Sequence, residues 1–130
     1  MNAETITPHG WLPDTQPWPG APPDGFPENS TSQVLVSSLL FAAGRRRLFG
    51  LQGVNNNAAA TFVHIFDATA LPANGSVPRV IIRAAATDNF SAYFGSVGRW
   101  FDQGIFIANS STLATLTLST ADLWVDGQYY

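Results

Sequence analysis

The chain has 130 residues, of which six are arginine, none is lysine and nine are acidic, for a formal net charge of −3. That balance gives no general attraction to nucleic acid, and the absence of cysteine excludes disulfides and thiolate metal sites. Charged residues make up 12% of the chain, about half the usual share of a soluble protein, so Ser, Thr, Asn, Gln and Gly must cover much of the surface.

Residues 1–32 hold seven of the nine prolines, with Trp11, Trp18 and Phe26 spaced among them. Proline fixes φ and removes a backbone donor, so this segment can form neither a helix interior nor a central strand. It is predicted to run as an extended, polyproline-like arm with turns. Large aromatics are scarce in ordinary disordered tails, so an arm of this composition is expected to lie on another surface, with Trp11, Trp18 and Phe26 as contacts. It carries Glu4, Asp14, Asp24 and Glu28 and no base, a charge of −4, while the remaining residues set six arginines against five aspartates. An acidic arm beside a nearly neutral body points to docking on a basic surface of a neighbouring copy or a different protein. No basic region followed by an apolar run marks a secretory signal, and no apolar stretch reaches membrane-spanning length. The chain is therefore read as made in a cytoplasm, with no membrane partner. The N-x-S/T triplets at Asn29, Asn74, Asn89 and Asn109 are then turn and edge chemistry rather than glycosylation sites.

Residues 33–130 read as a single domain of short apolar runs broken by Gly, Asn, Asp and Ser at intervals of about ten residues. In chain order the predicted strands are Gln33–Phe41, Leu48–Val54, Thr61–Phe66, Val77–Ala84, Asn89–Phe94, Trp100–Ala108, Leu113–Leu118 and Leu123–Tyr129. The triple asparagine Asn55–Asn57 suits a hairpin turn, because Asn tolerates the left-handed region. About eight strands without helical periodicity give an all-β fold, a jelly-roll or Greek-key β-sandwich, with a closed barrel second. Phe62, Phe66, Val80, Ile82, Phe90, Phe94, Ile105, Ile107, Leu116, Leu118, Leu123 and Val125 are the expected core.

Catalytic groups are few. His9 lies in the arm, far from any carboxylate in sequence, and His64 reads as a packed strand residue with one hydrogen bond. No third ligand at metal-like spacing accompanies them, so no metal or cofactor is expected. Asp122 and Asp126, four apart, fall on one side of a strand, but aspartates at strand ends have ordinary turn roles, and no nucleophile elbow or phosphate loop is present. The chain is read as a non-enzyme. Arg45-Arg46-Arg47 is its densest charge cluster, expected to project from a loop after Gly44. Without an aromatic platform it favours a protein partner over nucleic acid. Trp100 and Trp124, with Tyr93, Tyr129 and Tyr130, also allow stacking on sugar rings, a weaker reading than core or subunit interface.

From Gly53 onward the chain resembles a group of small phage- and prophage-encoded proteins. The likeness rests on Phe66-Asp67-Ala68, Pro72 with Gly75 and Pro78, Asn89-Phe90-Ser91 with Phe94, and Gly98-Arg99 with Phe101. Gly104-Ile105, Ala108-Asn109-Ser110-Ser111-Thr112 and Ala121-Asp122 with Trp124 continue it. These are turn and core positions, no catalytic residue carries over, and the arm is not part of the resemblance. Similar proteins look like virion components. Phage heads are often decorated by small β-sandwich proteins that sit as trimers on the shell and reach across capsomer joints with N-terminal arms. The resemblance therefore implies a capsid decoration (cement) protein located in the virion, its partners being other copies in a homotrimer and the major capsid protein. A receptor- or carbohydrate-binding module of a tail fibre or baseplate is the alternative.

Overall fold

The computed structural model describes residues 27–130; Trp11, Trp18 and Phe26, expected as contacts of the arm, lie outside them. Nine strands are present: β1 (Glu28–Thr31), β2 (Ser38–Ala43), β3 (Arg46–Asn55), β4 (Thr61–Asp67), β5 (Val80–Ala84), β6 (Asp88–Tyr93), β7 (Arg99–Phe101), β8 (Gly104–Ser110) and β9 (Leu123–Tyr129). They form two antiparallel sheets, one in the order β1-β9-β3-β6, with β7 also on β3, and one in the order β2-β8-β4-β5. The described residues contain no helix. The molecule is an all-β, sandwich-like pair of sheets.

Alternation along the strands places the core. On β4, Val63 and Ile65 turn inward with Leu48, Leu51, Phe101, Ile105, Ile107, Leu123 and Val125, all essentially without exposure. The opposite face of β4 carries His64 and Phe66, which lie under a second, smaller cluster with Phe106, Ala108 and Leu116. The β2-β8-β4-β5 sheet is therefore covered on both sides, and every residue of β8 is buried. A strand buried on both faces loses period-2 alternation and reads as a continuous apolar run, as Ile105–Ala108 does. Of the expected core, Phe62, Ile82, Phe94 and Leu118 are only half-buried.

Several elements differ from the sequence expectation: Glu28–Thr31, expected as part of the arm, is the edge strand β1, and the run Gln33–Phe41 is a strand only from Ser38. The run Trp100–Ala108 is two strands separated by a turn at Asp102-Gln103. Asp67 holds that turn: its carboxylate accepts the backbone N–H groups of Asp102 (3.1 Å), Gln103 (2.7 Å) and Gly104 (3.3 Å), and it pairs with Arg79 at 3.1 Å. Leu113–Leu118 is no strand but a strap across the outside of β8 and β4. Its Leu116 N–H donates to Ser76 O, and its carbonyl accepts from Gly75 N–H. Between Ser110 and Leu118 only an isolated bridge forms.

The triple asparagine makes no hairpin, because β3 and β4 belong to different sheets and the chain crosses between them there. None of the three has positive φ. Their side chains act instead: buried Asn55 donates from Nδ2 to the carbonyls of Ala59, Ala84 and Ala85, and accepts the Asn57 N–H. At Gly53 the backbone comes so close to its neighbours that a Cβ would overlap the Trp124 carbonyl and lie 2.7 Å from the Phe90 ring. Only glycine fits there.

Candidate binding surfaces

Register defines two ends of the β1-β9-β3-β6 sheet. At one end Glu28 stands opposite Tyr129, Arg46 opposite Phe101 and Arg47 opposite Trp100. At the other, Val54 stands between Trp124 and Asn89.

The first end gathers arginines onto aromatic rings. Arg46 and Arg47 belong to β3 itself, and Arg45 alone sits in the tight β2–β3 turn, so the cluster is not a projecting loop. Arg47 stands opposite Trp100 on β7, and the turn brings Arg45 to the same ring, so both guanidiniums lie 5.0 Å from its centre. Arg46 lies over Tyr129, and Arg99 over Phe94. The rings are thus engaged by guanidinium, and the aromatic platform that sequence reading found missing is supplied by β7 and β9. Such contacts contribute about 0.5–1 kcal/mol each at exposed sites. Two anchors hold the geometry, Arg46 Nε on Ala43 O at 2.7 Å and Arg47 Nη1 on Val97 O at 3.3 Å. The Arg45–Asp102 pair at 3.8 Å is open to solvent and adds little.

Glu28 enters this end as the first residue of β1. Its Oε1 accepts the Tyr129 hydroxyl at 3.1 Å, and desolvation together with this carboxylate raises the phenol above its ordinary value. The described chain therefore begins at the end of the sheet where Arg46 covers Tyr129. Tyr129 does not line a ligand surface, because its ring meets Phe41 edge-on in the core.

The remaining aromatics named from sequence spread along the outer face of the same sheet. Trp100 and Trp124 mark opposite ends of β3, on the order of 20 Å apart by strand rise. Between them Tyr93 stands opposite Gly50, and Gln52 lies between Ser91 and Asp126. Two adjoining depressions of about 490 and 440 Å³ share Gln52, Ser91 and Asp126. Sequence reading placed Trp124 and Tyr93 among possible stacking residues but missed the polar floor. Alternation in β3 and β6 was its only available signal.

His64 is buried beneath the strap, with Nε2 2.9 Å from Leu113 O and Nδ1 without a partner among the described residues. Desolvation holds its pKa below the usual imidazole value despite the backbone carbonyls of Leu113 and Thr112, which favour the charged form by accepting from it. Asp122 bonds Asn57 Nδ2 and the Thr120 hydroxyl, a loop-fastening role, while Asp126 faces outward next to Gln52. No group of three or more acidic or histidine side chains placed to hold a metal occurs among the described residues. Comparison with known protein families, with curated proteins and with solved structures finds no match to this chain.

Proposed function

We propose that the chain is a structural protein of a phage virion, a capsid decoration protein whose body associates as a trimer and whose N-terminal segment joins it to neighbouring capsid subunits. In this reading the body is a jelly roll. The strand orders β1-β9-β3-β6 and β2-β8-β4-β5 support it, since with β7 set aside they are the two interleaved four-strand sheets of a double Greek key. Jelly rolls serve in capsids and lectins alike, so the fold narrows the function without fixing it.

The observation that carries the proposal is where the described chain begins, at the arginine-bearing end of the sheet. The acidic, proline- and aromatic-rich residues 1–26 precede in sequence the strand β1, whose Glu28 bonds Tyr129, the ring that Arg46 covers. A basic pole with an acidic arm at its root suits head-to-tail attachment, the arm of one copy reaching the arginines of the next or a capsid subunit. The thin charge of the body fits a surface that works packed against other proteins. Linking body and arm contacts raises avidity without new chemistry.

The test is copy number and attachment. Quantitative mass spectrometry of purified particles is expected to find hundreds of copies, and a handful would move the protein to the tail. A chain starting at residue 27, with β1 intact, is expected to remain folded but to lose binding to shells stripped of it. Undiminished binding would remove the arm from the mechanism.

A further inference from the structure

The outer face of the β1-β9-β3-β6 sheet has a composition that neither a core nor a subunit interface requires. Trp124 at one end is 38% exposed and Tyr93 is 79% exposed. The floor between them is Gln52, Ser91, Asn89 and Asp126. Gly50 contributes no side chain, and this leaves the surface open beside Tyr93. We propose that this face is a binding site for an extended neutral glycan, with Trp124 and Tyr93 as stacking plates and Gln52 and Asp126 as the hydroxyl-binding pair.

The chemistry follows from the side chains. Sugar rings present apolar C–H faces and a rim of hydroxyls that both donate and accept. Exposed aromatic rings suit the first, and amide and carboxylate groups suit the second. Gln52 Nε2 already donates to Asp126 Oδ2 at 3.4 Å, which leaves the amide oxygen and the second carboxylate oxygen for hydroxyl donors. Neither depression is lined by an arginine, and Asp126 is the one side chain along them that is charged at neutral pH. An anionic glycan would meet repulsion without a compensating cation. A protein partner is favoured less, because interface centres are depleted of such carboxylates and rich in apolar contact.

Length is set by register. Trp124 stands opposite Val54 and Tyr93 opposite Gly50, so the two plates are four residues apart along β3, about 13 Å, and on opposite flanks of it, about 10 Å. That oblique path exceeds any single ring and calls for a chain of several. The inference does not rest on the virion reading, since its groups lie in the body alone.

Affinity electrophoresis of the full chain through gels holding galactomannan, xyloglucan or dextran, with polygalacturonate as the acidic control, tests it. Retardation by at least one neutral polysaccharide and none by polygalacturonate is expected. Trp124→Ala should weaken that retardation about tenfold. Gly50→Val, whose Cβ meets only the Ala92 carbonyl at 3.5 Å, should abolish it by filling the floor while leaving the thermal midpoint nearly unchanged. No retardation in any neutral gel overturns the proposal, as does retardation that both variants retain. So does a change of oligomeric state on light scattering in either variant, which would make the face a contact between copies.

Discussion

Single residues here act mainly through what the backbone permits and what desolvation forbids. Gly53→Ala is expected to cost about 3 kcal/mol, because the new methyl can escape neither the Trp124 carbonyl nor the Phe90 ring. Urea unfolding followed by tryptophan fluorescence checks this, and a midpoint within error of the parent would contradict the close approach. His64 makes stability depend on pH. Its folded pKa lies below the value near 6.5 of the unfolded chain, so the unfolded state binds the extra proton first. Stability is full above that value and falls as pH drops from it toward the folded pKa. His64→Gln should flatten the thermal midpoint between pH 7.5 and 5, and an unchanged slope would locate the dependence elsewhere. Asp67 works at lower pH. Desolvation pushes its pKa up, but the N–H groups of Gln103, Asp102 and Gly104 together with Arg79 outweigh this and hold it below the usual value. Its contribution is present above about pH 4 and is lost as pH falls through the folded pKa.

Elements were legible from sequence in proportion to how one-sided their environment is. The alternation of Val80, Ile82 and Ala84 against Arg79 and Arg83 marks β5, whose one edge and one face are open. The strap was misread because Leu116 and Leu118 alternate as a strand does, yet their partner is the outer face of β8 rather than a ladder. Pattern reports burial, and it does not report which surface does the burying. The arginines were legible as a cluster, but the rings they lie on come from β7 and β9, distant in sequence, and only pairing reveals them. β1 shows the same limit. Four residues without proline pair along β9, and Ser32 extends the attachment through its N–H to Val125 O at 2.8 Å and its hydroxyl accepting from Val125 N–H at 3.1 Å. A chain beginning at residue 27 should unfold at the same urea concentration as the full chain. One beginning at residue 33 leaves the β9 edge bare and should lose several kcal/mol, at about 1 kcal/mol for each hydrogen bond removed. Equal midpoints for the two shortened chains would show that β1 contributes nothing.

At the scale of the whole molecule, a body of this size buries a small core and carries apolar side chains such as Val34, Val77 and Val97 well exposed, so added contact between copies would stabilise it. Light scattering after size exclusion is expected to give a trimer both for the full chain and for residues 27–130. A monomer in both would leave self-association without support. The pairing of Glu28 with Tyr129, and of Tyr130 with Arg47 through both their backbone groups, has a practical consequence. Glu28 and Tyr129 stand opposite each other, about 5 Å apart, the spacing of neighbouring strands. Anything fused ahead of residue 27 or behind residue 130 emerges side by side from one pole, leaving the Trp124 end unobstructed. The body can thus be built into a display scaffold from either terminus.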